Sequence, residues 1–156
     1  MKILLSLSSR KMRNGKTNPK DYPYGDELVE LLQKEGYAVV QARTTDNLVL
    51  EQANEVQTNL SLKQLAQLIQ ECDAIIAVDN FIQHYATYLN KKPIIVIFSK
   101  SDPLIYGYSQ NINILKSRNY LMKNQFQTWE QDVFDKDAFV KPEVIIKKLK
   151  TIILDK

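Results

Sequence analysis

Between Ser61 and Tyr108 the chain sets out a helix, a strand, a second helix and a second strand with almost no spare residues. The apolar runs at 74–78 and 93–98 carry no period-2 alternation. Strands that are apolar on every residue are covered on both faces, the pattern of a parallel sheet, and parallel neighbours need a crossover. Residues 81–89, opened by Asp79-Asn80, supply it. The second run ends in a polar loop containing Ser101-Asp102-Pro103. This layout places strand ends and helix starts on one sheet edge, where open α/β proteins bind ligands.

The remaining chain extends the same alternation. Residues 2–7 read as a first buried strand, ending abruptly at Ser8-Ser9-Arg10-Lys11. A helix follows, with Tyr24, Leu28, Leu31 and Leu32 on its apolar face and Gly36 as its stop. Residues 37–41 form the second strand, and 43–60 a polar loop with one short strand near Glu55-Val56. Ser61 and Gln64 form a capping box, and Leu62, Leu65, Ala66 and Ile69 are the expected apolar face of that helix. Residues 112–115 add a strand. Residues 116–141 look irregular, with Tyr120, Phe126, Trp129, Phe134 and Phe139 scattered through them. These aromatics suit either packing across the sheet or a docking surface. Pro142 opens a C-terminal helix over 142–154, carrying Ile145, Leu149, Ile152 and Ile153. The expectation is a single Rossmann-like α/β domain over residues 1–156, with a mostly parallel sheet and helices on both faces.

Composition narrows the function. A chain of 156 residues with 44% hydrophobic and 25% charged content suits one ordinary globular domain. The net charge of +3 is too small to argue for nucleic acid by itself. The single cysteine, Cys72, excludes an internal disulfide framework and reads as a buried small hydrophobe. No apolar run approaches the roughly 20 residues of a membrane span. The apolar start is too short for a signal peptide and lacks a small-residue cleavage site, so a cytoplasmic protein is expected.

Two clusters could carry chemistry. From Arg10 to Lys20 there are five basic residues and no acid, in a loop leaving the carboxyl end of the first strand. Cations there balance a diphosphate, although a solvated basic loop explains the composition equally well. RNA is disfavoured because no base-stacking motif accompanies the charge. In the second cluster, either Asp79 or Asn80 can cap the helix at Phe81. Backbone N–H groups at that helix start suit a phosphate, and the Asp79 carboxylate suits hydroxyls or loop ordering. His84, the only histidine, lies one turn in, on the same face as Asn80. There is no G-x-G-x-x-G, Walker A or G-x-S-x-G pattern, and one His with one Cys leaves no zinc cluster.

These residues resemble the C-terminal, nucleotide-sugar-binding half of the heptosyltransferase-like glycosyltransferases, family nine, with GT-B architecture. Ser61, Leu62, Leu65, Ala66, Leu68 and Ile69 match a Ser-Leu-x-x-Leu-Ala-x-Leu-Ile helix. Asp79 and His84 match the acid and histidine of Asp-Ser-Gly-x-x-His. Ala86, Lys92-Pro93 and Asp102-Pro103 match the stretch that follows, and Lys20-Asp21-Tyr22-Pro23 resembles Lys-x-Trp-Pro. Asn80 and Phe81 stand where that family has Ser-Gly. The resemblance implies a nucleotide-diphosphate sugar as donor substrate, an ADP-sugar favoured, with no separate cofactor. It implies that Lys20 holds the diphosphate and that Asp79 and His84 line the site, with Ser101 and Asp102 near it. Ser9, Arg10 and Asn80 join the substrate-binding candidates from their positions at the strand ends. The family's catalytic base belongs to an acceptor-binding half with no counterpart here, so no catalytic residue is named. Self-association or a separate acceptor-domain protein would complete the cleft. The alternative is a non-enzymatic nucleotide-sugar-binding or interaction module.

Overall fold

A computed structural model describes residues 1–154. Six strands form one sheet: β1 (Lys2–Ser6), β2 (Ala38–Arg43), β3 (Glu55–Thr58), β4 (Ala74–Val78), β5 (Ile94–Phe98) and β6 (Ile112–Leu115). Their order is β3-β2-β1-β4-β5-β6, and every neighbouring pair is parallel. The chain therefore builds outward in one direction from β1, then returns and builds the other way from β4. Between β1 and β4 the crossovers leave on opposite faces, which opens a crevice above the strand ends.

Burial on both faces explains the unbroken apolar runs. Ile3, Leu5, Val39, Ile76, Val78, Ile95 and Ile97 point to one face, under α1 (Gly25–Lys34) and α5 (Pro142–Leu154). Leu4, Val40, Ile75, Ala77, Ile94, Val96 and Phe98 point to the other, under α2 (Leu62–Glu71) and α3 (Phe81–Tyr88). Cys72 is buried in this second layer, and burial pushes its thiol up to about 11, so it packs as a hydrophobe.

Helix ends follow the sequence signals closely. Gly36 adopts φ +82°, and Tyr37 and Gly36 donate to the Leu32 and Gln33 carbonyls, the paired bonds of a Schellman stop. Ser61 Oγ accepts from Gln64 N while Gln64 Oε1 accepts from Ser61 N, closing the capping box. The buried face of α2 differs from expectation: Leu65, Leu68 and Ile69 are buried, whereas Leu62 is 61% exposed. Leu62 is the first helical residue, so its side chain lies at the sheet edge instead of over the sheet.

A single helical turn, α4 (Pro103–Tyr106), appears where only a loop was expected; four residues are too few to show a period. Residues 116–141 contain three short 3₁₀ turns, Arg118–Tyr120, Trp129–Gln131 and Lys136–Ala138. The segment is tied to the core by buried Phe139, by edge-to-face contact of Phe139 with Tyr22 at 5.7 Å, and by Tyr22 Oη donating to the Val140 carbonyl at 2.9 Å. Tyr120 and Phe134 also pack on the core, Phe126 is exposed, and Trp129 reaches the strand ends. Among the described residues no helix is long and apolar enough to cross a membrane.

Candidate functional site

Asn80 ties the two sides of the crevice together. Its backbone is extended, and its Oδ1 accepts from Ile82 N at 3.0 Å, capping α3. Its Nδ2 donates across the crevice to Ser6 O at 3.1 Å, Ser6 Oγ at 2.9 Å and Ser8 O at 2.9 Å. One amide thus fixes the start of α3 against the end of β1. Because Asn80 does the capping, the Asp79 carboxylate is released into the site.

Asp79 is only 3% exposed. Its Oδ1 accepts from Gln83 Nε2 at 2.7 Å, with His84 Nε2 at 3.8 Å. Its buried Oδ2 lies 3.2 Å from Lys20 Nζ, close enough for an ion pair, yet has no hydrogen-bond partner of acceptable geometry. The contact is thus charge attraction without a well-directed hydrogen bond. Lys20 Nζ also sits 4.4 Å from the centroid of the Trp129 ring. His84 faces the other way as well: its Nδ1 is 2.9 Å from Tyr108 Oη. Phe81, at the first position of α3, stacks on Tyr85 with centroids 5.4 Å apart.

The loop after β1 is held by its backbone. Ser9 N donates to Asp21 Oδ1 at 2.7 Å, Asn47 Nδ2 donates to Ser9 O at 2.8 Å, and Asn18 Nδ2 donates to Arg10 O at 2.9 Å. Burial raises the Asp21 carboxyl to about 6, against the lowering effect of the Ser9 and Asn18 backbone bonds. Ser9 contributes its backbone to this network. The Arg10 side chain pairs with Glu130, its Nη2 3.0 Å from Glu130 Oε1.

These elements enclose a cleft of about 870 Å³ at the carboxyl ends of β1, β2, β3 and β4. Ser9, Arg10, Lys20, Asp79, Asn80 and His84 all line it. Ser101 and Asp102 do not. Asp102 caps α4 by accepting from Leu104 N at 2.9 Å and takes two bonds from Arg118, at 3.1 and 2.6 Å. The Arg118 hydrogen bonds hold its carboxyl below the usual range. Ser101 is buried beside it, its Oγ without a partner among the described residues.

The cleft also contains residues outside the sequence-derived site candidates: Arg43 at the end of β2, Asn47 in the loop that follows, Leu62 on α2, and Tyr106 and Trp129 from the far side. The strand order brings the ends of β2 and β3 to the same edge, which the polar character of 43–60 could have suggested. Arg43 is occupied locally, its guanidinium donating to the Asn47 and Thr45 carbonyls and to Thr58 Oγ1. Among the described residues there is no group of three or more His, Cys, Asp or Glu suited to a metal ion.

Sheet order and cleft together define a Rossmann-like domain whose crevice, at its topological switch point, carries more basic than acidic side chains. The chain belongs to glycosyltransferase family 9 (heptosyltransferase), whose family model matches residues 2–131. Its fold is similar to that of E. coli ADP-heptose lipopolysaccharide heptosyltransferase II, with TM-score 0.71 and 20% identity over 99% of this chain and 46% of that one. A family 9 glycosyltransferase from Veillonella parvula gives TM-score 0.77 at 19% identity, over 100% of this chain and 46% of that one. The E. coli heptosyltransferase WaaC with ADP gives 0.64 at 14% identity, over 96% and 43%. The chain therefore spans just under half the length of these structures. No curated protein matches the chain.

Proposed function

We propose that this domain binds the diphosphate of a nucleotide-sugar donor in the crevice between β1 and β4, and so serves as the donor-binding half of a glycosyl transfer. The observation that carries the reading is the Lys20–Asp79–His84 cluster at the mouth of α3, left available because Asn80 caps the helix. An ammonium has three donors, and Asp79 fixes Lys20 at the cleft wall without using all of them. Lys20, Arg10 and the N-terminal end of α3 favour a diphosphate, in the ground state and as a leaving group.

ADP is the first nucleotide to test, because one of the similar structures is named for ADP-heptose and another holds ADP. Glycosyl transfer also needs a base for the acceptor's proton. In this reading the acceptor-binding groups come from outside the domain.

Thermal unfolding against ADP, UDP, GDP and their sugar conjugates tests the reading. A ligand at 100 times its dissociation constant adds about 2.7 kcal/mol, a shift of a few degrees for a domain of this size. A rise with one diphosphate that disappears in Lys20→Ala supports it. No rise with any of them rejects it and leaves an interaction module on the same fold.

A further inference from the structure

Arg10 and Lys20, two cations of the cleft, already have partners. Arg10 is paired with Glu130 at 3.0 Å, and Lys20 lies under the ring of Trp129 at 4.4 Å. Both partners come from one 3₁₀ turn, Trp129–Gln131, reached at the far end of the chain after β6. That turn uses neighbouring residues to cover the two basic side chains that the diphosphate reading assigns to phosphate. Neither its helix start nor its apolar content explains the contact: Thr128 makes no capping hydrogen bond, and no residue of the turn is buried. The Glu130 carboxyl is held below the usual range by its own backbone N–H and then by Arg10, so it is anionic at neutral pH.

We propose that the Trp129–Glu130 turn is a built-in counter-anion, seated on Arg10 and Lys20, which a diphosphate must displace from Arg10 to bind fully. The proposal rests on the diphosphate reading of the cleft and adds a specificity element to it. A ligand that uses Arg10 competes with Glu130, whereas a nucleoside without phosphate does not. Glu130 thereby sets how strongly the site rewards phosphate charge. The Arg10–Glu130 pair is partly exposed, and exposed pairs of this kind correspond to a few-fold change in an equilibrium constant. The displaced group is a single short turn, so the motion asks for no change in the sheet.

Trp129 is the only tryptophan in the chain, so its fluorescence reports this turn alone. The experiment is calorimetric titration of wild type, Glu130→Gln, Arg10→Ala and the double variant with ADP, adenosine and inorganic pyrophosphate. Acrylamide quenching of Trp129 is followed in parallel, with pyrophosphate as the probe because it has no base to quench the indole. Glu130→Gln should bind ADP and pyrophosphate about two- to fivefold more tightly and adenosine unchanged. The gain should vanish when Arg10 is also removed, and bound pyrophosphate should raise the quenching of Trp129. Equal or weaker ADP binding by Glu130→Gln, or a gain that survives in the double variant, overturns the proposal. So does quenching that stays constant while pyrophosphate binds. Failure of ADP and pyrophosphate to bind any variant overturns the diphosphate reading itself, and this proposal with it.

Discussion

Two strand ends in this sheet carry an acid just before a helix, and they use it in opposite ways. After β4 the acid is Asp79, and the next residue, Asn80, caps α3. After β5 the acid is Asp102, and Asp102 itself caps α4. At the first site the carboxylate is spared, turned inward to Gln83 and placed beside Lys20 and His84 in the cleft. At the second, the cap and Arg118 consume both oxygens, and the residue becomes a clasp between α4 and the following segment. The residue type is the same, and so is its place at the carboxyl edge of a parallel strand. The assignment of the capping role decides which acid is left to hold a lysine at the cleft wall.

The contrast can be broken most forcefully at Lys20. Hydrogen bonds to charged groups contribute about 1.5–3 kcal/mol, so Lys20→Ala should weaken ADP binding by roughly ten- to a hundredfold in a calorimetric titration. An unchanged affinity would remove the first site from consideration. Asn80→Ala comes next. It loses a cap of about 1 kcal/mol and the donors to Ser6 and Ser8, so urea unfolding should show a loss of about 2 kcal/mol. Asn80→Ser, which keeps a capping oxygen, should recover about half of that loss.

Asp102→Ala sharpens the other side of the comparison. It should cost about 1 kcal/mol of stability through the lost cap and leave ADP affinity as it was. The remaining prediction concerns Asp21, which holds the loop after β1. Its folded carboxyl sits near 6, above the ordinary 3.8, so the folded state keeps its proton longer than the unfolded chain. Its contribution is greatest below about pH 4 and is lost as pH rises through about 6. Asp21→Asn, which can still accept from Ser9, should flatten the stability profile between those values in denaturant titrations at a series of pH.

How much of this was legible in the sequence follows from how local each signal is. The parallel sheet was readable because Ala74–Val78 and the run ending at Phe98 are apolar on every residue, as strands covered on both faces must be. The capping box at Ser61 and the stop at Gly36 were readable because each is set by neighbours within one turn. The place of Asp79, His84 and Lys20 in one cleft followed from strand ends meeting at one edge. What stayed hidden depends on contacts distant in sequence. Nothing near Trp129 announces that it will lie against Lys20, and nothing near Asp102 announces Arg118. The choice between Asp79 and Asn80 as cap was also open, because either side chain can accept from the next turn. Only the crevice, with Ser6 and Ser8 across it, selects Asn80.

One matched pair of variants tests the central claim most directly. Lys20→Ala and Arg118→Ala each remove a cation from a strand-end aspartate, Lys20 beside Asp79 and Arg118 beside Asp102. ADP titration of both, alongside wild type, should show at least a roughly tenfold loss of affinity for Lys20→Ala and wild-type affinity for Arg118→Ala. Equal losses in the two, or a loss confined to Arg118→Ala, would contradict the assignment of the donor site to the β1–β4 crevice.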